Sequence, residues 1–414
     1  MTNPDEHFRS LVVSGGNILL TGAGGTGKTH LIREIISRDP GEFSVTASTG
    51  IAALNLGGLT IHRWSGIMLG PTDGESDEEC LEKLLRDKRR GVRAGFDRVR
   101  ACRSLVIDEI SMLPGRALDF LDHLARTLRR DDRPFGGIQL IASGDFLQLP
   151  PVAGSARGDY DWAFQSRSWH EAGFHKVELT EVRRQDDPTF VRALSEIRLG
   201  HIRPATAALL RPRVARFPDA NLTRLLTHNA MVDKWNAYRL GEIDAEPRVF
   251  NADTSGPESQ IAFLANNLLT PQILVLKRGA LVMFTVNAAD GSFVNGQTGR
   301  IIDFRHDAVL VESEGRIVEA APFKWQLDPR DRRSASFIQF PLRLSYAITI
   351  HKSQGLTLDS ALIDVRAARE PGQAYVALSR VRTLAGLHLK DWFRGVFVSR
   401  AAAEFHTNPN STNP

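Results

Sequence analysis

The chain has 414 residues, 42% of them hydrophobic and 24% charged, a balance that excludes global disorder and, at roughly 150 residues per domain, suggests about two to three domains. With 52 Lys+Arg against 48 Asp+Glu, the formal charge of +4 permits nucleic acid as a partner without requiring it. Cys80 and Cys102 are the two cysteines; they exclude a disulfide scaffold and a Cys-x-x-Cys zinc site, and favour a reduced, cytoplasmic setting.

The start, MTNPDEHFRS, is polar and partly acidic and does not read as a signal peptide. No apolar run reaches the ~18–20 residues of a membrane helix, so a soluble chain without membrane contact is expected. "NILL" (17–20) predicts a buried strand, followed by a Gly-rich turn and a helix from about Thr29 to Ser37. "FSVTAST" (43–49), "SLVID" (104–108) and "GIQLIAS" (137–143) predict three more strands. Strands alternating with helical segments argue for a parallel, doubly wound α/β sheet.

Residues 70–100 interrupt that rhythm. "PTDGESDEE" reads as a loop, and Leu81, Leu84 and Leu85 give one narrow apolar stripe before a strongly basic stretch. This is a small solvated helical insertion or a basic subdomain touching nucleic-acid backbone. A break falls near 185–190, and 191–245 reads as helical apart from the strand "TRLLTHN" (223–229). Short strands between Gly and charged turns over 270–320 predict a small antiparallel barrel. "LRLSYAITIHKSQG", "DSALIDV" and the helical "QAYVALSRV" restore the alternating pattern, and "HTNPNSTNP" reads as a frayed tail.

"GAGGTGKT" (22–29) has the spacing G-x-x-x-x-G-K-[ST] after a strand and at the start of a helix. Gly22, Gly24, Gly25, Thr26 and Gly27 let backbone N–H groups converge on phosphate oxygens, Lys28 reaches the β/γ-phosphates, and the Thr29 hydroxyl suits Mg²⁺. "LVIDEIS" ends a strand in Asp108, which places a carboxylate on the Mg²⁺ shell, with Glu109 as the base for water activation. Together the two motifs imply a Mg²⁺-dependent nucleoside triphosphatase. In "GDFLQLPPV" (144–152) the lone Gln148 is either part of a mixed loop or held stiffly before the nucleotide. Arg380, at the end of a predicted helix, is a surface residue or an arginine finger.

The ordered series "GAGGTGKT", "VTASTGIAALNLGGLTIHRWSGI", "VIDEISML", "FGGIQLIASGDFLQLPPV", "LTEVRRQ", "ITIHKSQG" and "GQAYVALSR" resembles superfamily 1B helicases, over about residues 17 to 390. The segment "LPGRALDFLDHLARTLRRDDRPFGG" (113–137) is similar to the signature of the Pif branch. The resemblance implies two RecA-like parallel-sheet domains with ATP between them, a small helical wedge insertion and a small antiparallel, Src-homology-3-like β-barrel insertion. Their expected bounds are 1–68 with 101–187, 69–100 for the wedge, 188–245 with 341–414, and 246–340 for the barrel.

It implies an ATP- and Mg²⁺-dependent helicase moving 5′→3′ on single-stranded DNA and unwinding duplex or forked DNA; a monomer is the default expectation. G-quadruplexes and RNA–DNA hybrids are further substrates suggested by the family, and a repair, recombination or replication role follows. The competing reading is a P-loop switch that remodels a protein partner. By position, Lys28, Asp108, Glu109, Gln148, Arg184 and Arg380 would form the catalytic set, and Gly355 would join the nucleotide-binding glycines. Thr49, Thr60, His62, Trp64, Asn229, His351, Lys352 and Ser353 would line the strand, with Trp64 or His62 stacking on bases.

The chain departs from the family pattern at two places. Arg183 stands where most relatives have an aromatic residue, which leaves both Arg183 and Arg184 open as the phosphate-facing arginine. The upstream glutamine that reads adenine falls at about Asp5, and a carboxylate accepts but does not donate. Weak discrimination among nucleotide bases is the expectation.

Overall fold

The computed structural model describes residues 3–39, 41–67, 70, 75–152, 160–215, 219, 221–327 and 334–408. Part of the expected loop (71–74), the expected boundary at 68–69 and most of the expected tail (409–414) lie outside the described residues. The chain divides into two compact units, Met1–Arg183 with Ser399–Pro414, and Arg184–Val398.

In the first unit, α1 (Pro4–Ser14) starts where the Asn3 side chain accepts from the Asp5 N–H and Pro4 fixes the first turn. It ends at Gly15, whose φ of 78° supplies the left-handed cap. Six parallel strands follow: β1 (Ile18–Gly22), β2 (Phe43–Ala47), β3 (Leu59–Thr60), β4 (Ser104–Asp108), β5 (Gln139–Ser143) and β6 (His175–Leu179), in the order β3-β2-β4-β5-β1-β6. β1 and β4 are buried at every position, as near-continuous apolar runs in a parallel sheet should be. Phe8 of α1, the apolar face of α2 (Lys28–Arg38) and Ile18, Leu20, Val106 and Ile141 form one core.

β2 leads into α3 (Gly50–Asn55), and β3 into α4 (Ile61–Ser65). The expected insertion contains α5 (Asp77–Arg86) and α6 (Arg90–Ala101). Ser76 and Glu79 form a reciprocal capping box that fixes the start of α5. Leu81 and Leu84 pack with Val92, Phe96 and, from α7 (Gly115–Arg129), Phe120 and Leu124. The Arg98 guanidinium donates to the Arg63 and Trp64 carbonyls at 2.9 and 2.8 Å, tying α6 to α4. Both cysteines are free and buried, and burial pushes the Cys102 thiol up to about 11.

The C-terminal helix Arg400–Thr407 belongs to the first unit, whereas the expected division put 341–414 with the second. Its Phe405 stacks on Phe164 with centroids 4.4 Å apart and meets Phe146 edge-on at 5.3 Å. Those aromatic contacts join residues far apart in sequence.

The second unit opens with α8 (Pro188–Arg198) and α9 (Pro204–Leu210), then β7 (Thr223–Leu226) and α10 (Asn229–Gly241). β8 (Arg248–Asn251) pairs with β10 (Ile273–Leu276), and β9 (Asp253–Ser255) joins a second small antiparallel sheet. β11 (Leu281–Phe284), β12 (Thr298–Phe304), β13 (Val309–Ser313) and β14 (Arg316–Ala320) form a meander. After β15 (Phe323–Gln326) and β16 (Ser336–Gln339), β17 (Leu342–Leu344) completes the five-stranded antiparallel sheet β14-β13-β12-β11-β17. Among the described residues no ladder joins β14 to β17, so the antiparallel sheet is present without a recorded closure into a barrel.

β18 (Ala347–Thr349), β19 (Ala361–Ile363) and β20 (Leu387–Leu389) join β7 in a parallel sheet ordered β18-β7-β19-β20. The run "LRLSYAIT" is therefore divided between two sheets. Tyr346, buried at the junction, accepts from the Leu281 N–H through its hydroxyl at 3.0 Å. No helix among the described residues is long and apolar enough to cross a membrane.

Candidate functional site

β4, β5 and β1 are neighbours in one parallel sheet, so their C-terminal ends bring three motifs side by side. At the end of β1, a Cβ on Gly22 would lie 2.4 Å from the Leu179 carbonyl oxygen, so the position requires glycine. Gly25 and Gly27 have φ of 86° and 95°, which turns the loop into a concave row of amides at the start of α2. Gly24 and Thr26 are buried within that turn, and the Thr26 hydroxyl donates to the Ala23 carbonyl at 2.9 Å. The Lys28 ammonium folds back on the loop, donating to the Gly22 and Ala23 carbonyls at 2.7 and 3.1 Å. Thr29 is half-buried in the first turn of α2.

Asp108, at the end of β4, is 4% exposed. Burial pushes its carboxyl up, opposed in part by the Glu109 N–H and the Lys28 charge. A buried carboxyl beside an ammonium and a row of N–H donors fits a phosphate chain carrying a divalent cation, which would restore the charged form. Thr29 and Asp108 are the residues here that could hold such a cation. Among the described residues no group of three or more His, Cys, Asp or Glu side chains is placed to hold a metal by itself.

Glu109 has a left-handed backbone, φ 53° and ψ 44°, a conformation that costs of order 1–3 kcal/mol in a non-glycine residue unless its surroundings hold it. Its N–H donates to Asp108 Oδ1 at 3.0 Å. Its carbonyl accepts from the Met112 N–H at 3.0 Å and from the Ser48 hydroxyl at 2.6 Å. The Ser48 N–H also donates to the Asp108 carbonyl at 3.0 Å. Ser48 belongs to the "VTASTGIAALNLGGLTIHRWSGI" motif but carries no chemistry that sequence alone marks. Its place at the end of β2, beside the β4 terminus, is the signal that identifies it.

Gln148 lies past β5 and is 5% exposed. Asp145 holds it: the Gln148 N–H donates to the Asp145 carbonyl at 2.9 Å and its side-chain amide to Oδ2 at 3.2 Å. Gln148 is thus held in a turn built by Asp145.

The two adjacent arginines go different ways. The Arg183 N–H donates to the Gly25 carbonyl at 2.8 Å, and its side chain lies 3.7–4.0 Å from a Cβ built on Gly27. Its guanidinium is 3.5 Å from Asp5, so the two departures from the family pattern are partners. In the second unit, Arg184 donates to Thr357 Oγ1 at 3.1 Å and to the Ser379 carbonyl at 3.2 Å. Arg380 follows the end of α11 (Gln373–Leu378) and is 1% exposed, not a surface residue. Its guanidinium donates to the Val376 carbonyl and to Ser379 Oγ, both at 2.8 Å. The fold thus brings Arg184 beside the turn that carries Arg380.

Thr49 and Thr60 cap α3 and α4, accepting from the Ala52 and Arg63 N–H groups. His62 is half-buried, and burial lowers its imidazole pKa. Trp64 is only 3% exposed, so the expectation of base stacking does not hold for it in this conformation; it packs in the core. In the second unit Asn229 is exposed at the first turn of α10. His351 Nε2 is 3.2 Å from Glu370 Oε2. Lys352 is half-buried, with its pKa lowered first by burial and then by Arg343. Ser353 is fully buried and its hydroxyl donates to the Ile350 carbonyl at 2.7 Å, so its side chain serves the turn. Gly355 closes that turn with φ of 81°.

The PIF1-like helicase family model matches residues 8–206. The ATP-dependent DNA helicase Pif1 of Bdellovibrio bacteriovorus is 38% identical over 401 residues, covering 96% of this chain and 89% of that protein. Against the ATP-dependent DNA helicase PIF1 of Xenopus laevis, 40% identical, the chain spans 60% of the relative's length. Among solved structures, Bacteroides sp Pif1 in complex with ADP-AlF4 superposes with a TM-score of 0.82 at 32% identity, over 99% of this chain and 97% of that one. Bacteroides Pif1 bound to ssDNA gives 0.67 at 32% identity, over 98% and 96%.

Proposed function

This chain belongs to the PIF1-like helicase family, and from that premise we propose that it is an ATP-dependent DNA helicase moving 5′→3′ on single strands. The observation that carries the reading is the convergence of P-loop, Asp108–Glu109 and Gln148 at three adjacent strand ends. In this proposal the P-loop amides and Lys28 bind the ATP phosphates, and Thr29 and Asp108 hold Mg²⁺. Held there, a divalent cation would supply neutralisation of the phosphate charge. Glu109 orients the attacking water and accepts its proton. Gln148 senses the γ-phosphate, and Arg184 and Arg380 stabilise the charge that develops there.

The two parallel-sheet regions are read as RecA-like domains, α5 and α6 as the wedge insertion, and the antiparallel sheets within 248–344 as a Src-homology-3-like barrel. Thr49, Thr60, His62, Asn229, His351 and Lys352 are assigned to the strand track, with Trp64 and Ser353 supporting it from beneath. Single-stranded and forked DNA are the proposed substrates, a role supported by the Bacteroides Pif1 bound to ssDNA. G-quadruplexes, RNA–DNA hybrids, a monomeric state and a nucleoid setting belong to the same proposal.

ATP hydrolysis with and without single-stranded DNA tests it. Strong stimulation is expected. A rate indifferent to DNA would favour a protein-directed switch instead.

A further inference from the structure

The second unit contains a guanidinium without a partner. Arg343 sits on β17, 9% exposed, between Leu342 and Leu344. Its Nε and Nη1 are buried and make no hydrogen bond. No carboxylate among the described residues forms an ion pair with it; Asp233 of α10, exposed, is the acidic group that acts on it from a distance. Burial pulls the Arg343 pKa down to about 10. Buried charges in folded proteins are almost always paired, because removing an ion from water costs several kcal/mol. An arginine left this way calls for an anion that arrives from outside the chain.

The surroundings identify that anion. Lys352 is close enough for the two cations to disfavour one another, and the same Asp233 acts on both. Asp233 lies one turn after Asn229, at the start of α10, where His228 provides no side-chain cap for the leading N–H groups. A desolvated guanidinium, a half-buried ammonium and an uncapped helix start suit a phosphate oxygen. Lys352 and Asn229 belong to the proposed strand track by family resemblance, and Arg343 would be an addition to it.

We propose that Arg343 is a phosphate-contacting residue of the single-strand track, gripping one backbone phosphate together with Lys352. This rests on the helicase reading and adds a residue to its DNA site. The contact is independent of base identity and serves a motor that must bind every sequence it crosses.

The test uses the full chain and a fluorescein-labelled oligo(dT), with affinity measured across a salt series. Arg343→Met keeps the volume and removes the charge. The dissociation constant should rise roughly tenfold to a hundredfold, and the slope of log K against log salt should fall by about 0.7, the value for one single-strand phosphate. The thermal midpoint without DNA should stay level or rise, since a buried unpaired charge has been removed. Arg343→Lys should hold the slope while losing part of the affinity. Wild-type affinity and slope in Arg343→Met overturn the proposal. So does weakened binding with a lowered thermal midpoint that Arg343→Lys shares, the mark of a purely structural arginine. If Arg343→Met does not fold, Arg343→Gln against Arg343→Lys carries the same comparison of slopes. Failure of the wild-type chain to bind oligo(dT) would instead remove the helicase reading.

Discussion

Ser48→Ala isolates the contact that fixes the backbone of Glu109. The serine hydroxyl reaches the Glu109 carbonyl at 2.6 Å, and the Met112 N–H donates to the same oxygen at 3.0 Å. One net hydrogen bond contributes about 1 kcal/mol. It acts on a residue whose left-handed backbone already costs on the order of 1–3 kcal/mol. If that about 1 kcal/mol of positioning is lost from the transition state, kcat falls roughly fivefold. KM for ATP should hold within about twofold, because the P-loop is untouched. Ser48 also precedes Thr49, the cap of α3 and a proposed strand contact. The loss should therefore appear mainly in DNA-stimulated turnover. The assay is steady-state phosphate release over an ATP titration, with and without saturating oligo(dT), on Ser48→Ala, Ser48→Thr and wild type. Ser48→Thr keeps the hydroxyl and should recover most of the rate. Unchanged kcat in Ser48→Ala, or a loss confined to KM, would refute the reasoning.

Gln148→Ala should leave oligo(dT) affinity within about twofold while reducing DNA-stimulated hydrolysis and unwinding at least tenfold; normal coupled unwinding would return the loop to an ordinary turn. Glu109→Gln should retain binding of a fluorescent nucleotide and abolish turnover, and residual unwinding would exclude it as the base. With Asp5 paired to Arg183 in place of the expected glutamine and aromatic residue, GTP and CTP should be hydrolysed within about tenfold of ATP. Negligible GTP and CTP turnover would show that adenine is read by other groups. Because burial raises the Cys102 thiol to about 11, native protein at pH 8 should resist alkylation there until it unfolds. The same shift means that stability from this group is whole below about pH 8.5 and is lost as pH climbs toward 11. Rapid labelling of Cys102 in the folded chain would contradict the burial.

Much of this arrangement was legible in the chain. "SLVID" was read at its observed bounds because a short apolar run ending in a carboxylate has one sensible place in a parallel sheet. The P-loop was legible because its glycines answer a local demand, seen in the φ of Gly25 and Gly27. Tertiary partnerships were not. "LRLSYAIT" gives no local sign that Leu342–Leu344 and Ala347–Thr349 enter different sheets. Phe405 reads as the side of an amphipathic helix until its stack with Phe164 assigns it to the first unit. Trp64, expected on the strand track, is buried in the core, a tertiary outcome its motif does not signal. Ser48 has no composition signal at all. Arg343 had one, a cation in an apolar strand, which becomes meaningful only when the groups around it fail to pair with it.

The most direct measurement of the central claim is unwinding of a duplex carrying a single-stranded 5′ tail against the same duplex with a 3′ tail, each with ATP and Mg²⁺. The account predicts strand separation from the 5′ tail, dependent on hydrolysis and lost in Glu109→Gln. Separation only from the 3′ tail, or none from either while ATP is still consumed, would contradict it.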